Sequence, residues 1–98
     1  MNIKVDFEKL SVFCKKWNIV EFALFGSVLR NDFNSESDVD VLVSFDQNTN
    51  ISLFDLVEMQ EELESFFGRE VDIIERTAIK NPYRMKNIFA NMEVLYAA

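Results

Sequence analysis

The sequence predicts an α/β (α+β) fold, a small mixed sheet flanked by helices. Segments of helical period alternate with short β-branched runs, and Gly or Asn-Pro signals separate them. The first helix spans Asp6 to Trp17: Phe7, Leu10, Phe13, Cys14 and Trp17 recur at three- and four-residue spacing, and Asp6 stands where an N-cap belongs. Ile19 to Phe25 is dense in β-branched and aromatic residues and stops at Gly26-Ser27, which marks the end of a strand. A short helix over Val28 to Asn31 is expected next, followed by a polar, turn-rich stretch to Ser37. Asp38 to Phe45 alternates and reads as a second strand.

Beyond the loop Gln47 to Asn50, Ser52 and Asp55 have the spacing of a capping box ahead of Leu53, Leu56, Val57, Leu63, Phe66 and Phe67. Gly68 is the stop signal of that helix. Glu70 to Glu75 predicts a third strand, Asn81-Pro82 starts a helix running to about Ala90, and Glu93 to Tyr96 reads either as a continuation of that helix or, the favoured reading, as a fourth strand. No repeat or linker interrupts the chain, so residues 1–98 are expected to form one domain.

The composition narrows the chemistry. No apolar run approaches the ~20 residues that span a bilayer, and the chain opens without a basic and apolar leader. A soluble cytoplasmic protein without a membrane role is therefore expected, and the single cysteine, Cys14, offers no disulfide framework. Seventeen acidic against ten basic residues give a net charge of −7, which argues against a long RNA or DNA partner. The absence of histidine removes His-based general bases, Ser-His-Asp triads and imidazole zinc sites. Catalysis has to rest on carboxylates, hydroxyls and metal.

Strand alternation puts Val39, Val41, Val43 and Phe45 on one face and Asp38 with Asp40 on the other. Two carboxylates ~7 Å apart at an effective dielectric of ~20 repel by roughly 2 kcal/mol, so the pair calls for a cation. All-oxygen donors suit Mg2+, which completes its octahedron with water and substrate phosphates. In the third strand Asp72 faces opposite to Val71, with Glu70 its nearest rival. If the two strands are neighbours in register, Asp72 joins Asp38 and Asp40 around a pair of Mg2+ ions, the clamp used in phosphoryl or nucleotidyl transfer. Gly26 and Ser27, at a strand end before a helix, offer close backbone approach, N–H groups and a hydroxyl for phosphates.

Gly26, Ser27, ten intervening residues, then Asp38 and Asp40 match the GSx10DxD signature, and the flanking Phe25 to Asp32, Ser37 to Val43 and Val71 to Ile74 fit it as well. On these residues the chain resembles the minimal nucleotidyltransferases, the MNT-domain family of the DNA polymerase β-like superfamily. The resemblance covers nearly the whole chain, including Asn81-Pro82 and the terminal Val94-Leu95-Tyr96; many relatives have Gly where Asn31 stands. It implies the polymerase β-like fold, catalytic and metal-binding Asp38, Asp40 and Asp72, and nucleotide binding by Gly26, Ser27 and Arg30. It further implies ATP as substrate and a HEPN-domain RNase toxin as partner, which these antitoxins modify by moving AMP to a tyrosine.

Surface chemistry explains other residues more simply. Lys80, Arg84 and Lys86 read as solvated or partner-facing, and Trp17, Phe66 and Phe67 as core or interface. Two competing functions remain at this level: a non-catalytic antitoxin that masks its toxin, and nucleotidyl transfer to a small molecule such as an aminoglycoside. The second usually adds a helical domain, which is not expected of this sequence. Homo- and hetero-oligomers are both open.

Overall fold

The computed structural model describes residues 3–34 and 36–98. Its elements follow in the order α1 (Phe7–Lys16), β1 (Ile19–Phe25), β2 (Val39–Phe45), α2 (Leu53–Phe67), β3 (Val71–Glu75), α3 (Pro82–Ala90) and β4 (Glu93–Ala97), with 3-10 turns at Gly26–Leu29 and Arg76–Ala78. Among these residues four strands form one mixed sheet in the order β3-β2-β1-β4. β1 pairs antiparallel with both β2 and β4, whereas β2 and β3 are parallel and are joined through α2. A parallel pair needs such a crossover, and the 15-residue helix supplies it.

The helix ends follow the capping chemistry read from the sequence. Asp6 accepts from the Lys9 N–H, Ser52 and Asp55 make both bonds of the capping box, and Asn81 accepts from Tyr83 and Arg84 ahead of Pro82. Gly68 closes α2 in the left-handed conformation, at φ 71°.

The first turn departs from the expectation. The helix expected at Val28 to Asn31 is a 3-10 turn at Gly26–Leu29, two residues earlier, so it begins at the glycine. Among the described non-glycine residues a left-handed backbone belongs to Asn18, at φ 57°, between α1 and β1. The polar loop that follows includes Ser35, which lies outside the described residues.

Both faces of the sheet are covered. Phe22 and Leu24 of β1 lie opposite Val43 and Val41 of β2, and with Val39 and Val71 they pack against Leu10 and Cys14 of α1 and Met59 and Leu63 of α2. A register shift between Ile19 and Glu21 brings Ile19 to this face as well, although it stands three residues before Phe22. Burial pushes the Cys14 thiol up to about 12, which leaves it a packing residue.

On the other face Ala23, Leu42, Ile79 and Ile88 form a second cluster, with Phe25, Ile74, Met85, Phe89 and Met92 against it. α3 therefore covers the same sheet face on which the alternation places Asp40 and Asp72. Arg76 ties this side together: it pairs with Glu21 of β1 at 3.1 Å and stacks over the Phe89 ring of α3 at 4.5 Å.

The capping box fixes the start of the crossover helix, so Ser52→Ala should lower unfolding stability by about 1 kcal/mol. Urea denaturation followed by circular dichroism checks this. A loss within error of zero would show that packing alone sets the start of α2.

Candidate functional site

Strand register builds the site. Asp40, the second residue of β2, is half-buried; its parallel partner is Asp72 in β3 and its antiparallel partner is Phe25, the last residue of β1. The end of β1 and the starts of β2 and β3 thus meet at one end of the sheet. Asp72 is exposed beside Asp40. The neighbouring register that the sequence required of these two strands is present.

Asp38 differs from expectation. It lies one residue before β2 rather than within it, and is exposed. The ladder begins only where Val39 donates its N–H to the Glu70 carbonyl at 2.9 Å, and the Ser27 hydroxyl donates to the Asp38 carbonyl at 3.2 Å. These two bonds hold the one peptide group that joins Asp38 to Val39, through its carbonyl and its N–H. Glu70 likewise falls just before β3, so the expected strand start at Glu70 moves to Val71.

Gly26 decides how close the strand carboxylate comes to the turn. Its φ is 75°, a left-handed value that L side chains rarely adopt. A Cβ there would sit 3.2 Å from Asp40 Cγ and overlap its Oδ2 outright. The Asp40 carboxylate therefore rests against the glycine backbone, where the Ser27 N–H donates to it. Ser27 is committed twice in this state, through its N–H to Asp40 and through its hydroxyl proton to Asp38. A phosphate contact from the hydroxyl requires that second bond to exchange.

Burial, then the charges of Asp72 and Asp38, raise the Asp40 pKa above the usual carboxylate value; Arg30 and the Ser27 N–H oppose the rise only in part. Asp72, across the ladder, is the stronger of the two acidic neighbours. Surplus negative charge on hard oxygen donors fits a divalent cation such as Mg2+. Among the described residues no group of three His, Cys, Asp or Glu side chains is gathered closely enough to cage an ion. The carboxylates alone would complete only part of the coordination shell of such an ion, and water or a triphosphate would have to supply the rest.

Arg69, which the sequence reading left aside, organises the approach to Asp38. From the turn after α2 its Nη1 donates to the carbonyls of Asn34 at 2.8 Å and Ser37 at 3.1 Å, and its guanidinium lies over the Phe33 ring at 4.4 Å. Arg30 is exposed, pairs with Asp32 at 3.4 Å and still acts electrostatically on Asp40. Next to it, Phe25, Gly26, Leu29 and Arg30 face Asn87 and Ile88 of α3, and Asn91 just after it, across a cleft of about 520 Å³. Nothing in the sequence pattern marked Asn87 and Asn91, because their relevance depends on α3 packing over the turn. Lys80, Arg84 and Lys86 are exposed. A second cleft, of about 500 Å³ between α1 and α2, lies on the sheet face away from the carboxylates.

A mixed sheet that gathers acidic residues beside a glycine turn defines a nucleotidyltransferase-like architecture. The chain belongs to the nucleotidyltransferase domain family, whose model matches residues 8–95. It is 41% identical over 73 residues to a protein of Methanocaldococcus jannaschii provisionally named a protein adenylyltransferase, covering 74% of this chain and 73% of the relative. The protein adenylyltransferase MntA of Thermococcus cleftensis is 33% identical over 67 residues, which cover 68% of this chain and 66% of that protein. In three dimensions the chain resembles one from a complex of a tri-AMPylated Shewanella oneidensis HEPN toxin with its MNT antitoxin. That likeness has a TM-score of 0.67 at 15% identity, covers 94% of this chain and 70% of the other, and establishes the shared fold. The chain is a nucleotidyltransferase.

Two substitutions test the geometry. Gly26→Ala should lose about 1–2 kcal/mol through backbone strain and, by displacing the Asp40 carboxylate, weaken binding of Mg2+ with ATP in calorimetry. Binding at parental affinity would show that Asp40 can move aside without consequence. Arg69→Ala should accelerate hydrogen exchange at Ser37 and Val39 while leaving the Phe22 to Leu24 amides protected. Unchanged exchange near Asp38 would mean that the loop holds itself.

Proposed function

We propose that this chain is a Mg2+-dependent protein adenylyltransferase that moves AMP from ATP to a hydroxyl, most simply a tyrosine, of a HEPN-type RNase toxin, and so acts as its antitoxin in the cytoplasm. One observation carries the reading: the Asp40 carboxylate lies against the side-chain-free Gly26 turn with Asp72 beside it. A triphosphate laid along that turn meets oxygen donors on one side and N–H groups on the other. The relatives named as protein adenylyltransferases, and the modified toxin bound by an antitoxin of the same fold, support the choice of acceptor.

Asp38, Asp40 and Asp72 are assigned as the metal ligands, for two ions, and Gly26, Ser27 and Arg30 as the nucleotide-binding residues. Bound Mg2+ would neutralise the charge that builds up on the triphosphate oxygens during displacement. Mg2+ held by the carboxylates would orient the α-phosphate, and Arg30 offers a planar donor to the phosphate tail. The cleft beside Gly26 and Arg30 has room for the part of the nucleotide that the carboxylates do not hold. The acceptor oxygen bonds to the α-phosphorus as the α–β bridging P–O bond breaks and pyrophosphate leaves. A site carboxylate takes the hydroxyl proton, and Asp38 and Asp72 are both exposed to an incoming side chain.

Transfer should add one or more AMP units to the HEPN partner when protein, labelled ATP and Mg2+ are mixed, as read by intact mass. Asp40→Asn should abolish the adduct. A carboxyl with a raised folded-state pKa contributes stability that is complete below its unfolded pKa and lost as pH rises through the folded value. Ionised Asp40 thus destabilises the metal-free protein at neutral pH, and Asp40→Asn should melt at the parental temperature or higher. By the same linkage a proton competes with Mg2+, so affinity for Mg2+ with ATP should fall on acidification, beginning above the usual carboxylate range. If Asp40→Asn neutralises the partner as well as the parent does and neither forms an adduct, the chain acts by masking. Label on an aminoglycoside and never on the partner would change the acceptor class.

A further inference from the structure

We infer that the first turns of α2 form a docking surface for a basic protein partner, separate from the carboxylate site. Leu53 and Phe54 are 75% and 86% exposed, and Val57 is 51% exposed. Spacings of three and four residues place the three side by side on one face of the helix. Their backbone does not need a partner to order it, because the capping box between Ser52 and Asp55 fixes the helix start. An apolar group held in one place this way gives up little entropy on binding.

Charge selects the occupant. α2 carries Asp55, Glu58, Glu61, Glu62 and Glu64 and not one Lys or Arg, in a chain of net charge −7. Glu58 and Glu61 are exposed just beyond Val57. A second copy would bring one acidic helix against another, and nucleic acid or an anionic bilayer would be repelled in the same way. The complementary partner is a protein surface with an apolar pocket for Phe54 and a rim of Lys and Arg.

Position gives this surface its consequence. Asp40 stands near the start of β2, whereas α2 begins past the end of that strand, so the strand alone separates the two by about 16 Å. A partner seated on Phe54 leaves the carboxylates open. Resting on the reading above, the partner is the HEPN-type acceptor protein, so holding it and modifying it are carried by different residues.

The test uses the full chain and its HEPN partner, with Kd measured by calorimetry for parent, Phe54→Glu and Asp40→Asn. Phe54→Glu should weaken the complex tenfold or more while keeping the parental melting temperature and the parental affinity for Mg2+ with ATP; Asp40→Asn should keep the complex. Leu53→Lys is a second variant that should weaken binding in the same way and add like charge to the basic rim. Parental affinity in both patch variants, or no complex with the parent, overturns the proposal. So does sedimentation showing that the parent self-associates and Phe54→Glu does not, because the occupant is then a second copy. Failure of AMP transfer with the complex intact and Phe54-dependent would count against the adenylyltransferase reading alone.

Discussion

The clasp between Gly26 and Asp40 is the contact on which the site depends. A strand carboxylate can lie against the backbone of the neighbouring turn only if that turn lacks a side chain and tolerates a left-handed φ, and glycine alone meets both conditions cheaply. The contact sits where β1 ends and β2 begins, so antiparallel pairing of the two strands sets its distance. Parallel pairing with β3 then delivers Asp72 to the same place. Ser27, one residue further on, joins the turn to both Asp38 and Asp40.

Function and stability pull in opposite directions here. The hydrophobic faces of β2 are buried on both sides, by α1 and α2 against Val39, Val41 and Val43 and by α3 against Leu42. That packing holds Asp40 in a half-buried position where its charge is opposed by burial, by Asp72 and by Asp38. The protein thus stores unfavourable electrostatics at one end of a well-packed strand. A cation bound under the proposed function would release it, which would link affinity for metal with nucleotide to the rigidity of the core beneath.

Much of this was legible in the sequence because the governing physics is local. Strand alternation separated Val39, Val41 and Val43 from Asp40, and capping chemistry located the starts of α1, α2 and α3. Glu93 to Tyr96 is indeed the fourth strand, extended by one residue. The misses are the features set by contacts between distant segments. Asp38 stands just outside the strand because its carbonyl accepts from the Ser27 hydroxyl, and the ladder with β3 starts one residue later, where Val39 donates to the Glu70 carbonyl. The turn at Gly26 began two residues early because it closes onto Asp40. The second hydrophobic cluster, the role of Arg69 and the cleft bordered by Asn87 and Asn91 depend on where α3 and the turn after α2 come to rest. No periodicity along the chain encodes that.

The lone tryptophan occupies an instructive place. The Trp17 indole donates to Glu62 at 2.7 Å, Lys16 lies over its ring, and the same Glu62 pairs with Lys16, so α1 and α2 are joined through one carboxylate. Burial resists the ionisation of Glu62, yet the bonds from Lys16 and Trp17 hold its carboxyl below the usual range. Trp17 stands before β1, while Gly26 follows that strand's far end. Its emission is therefore an optical gauge of the joint between two helices, reporting whether the chain is folded from a place a strand's length away from the Gly26 turn.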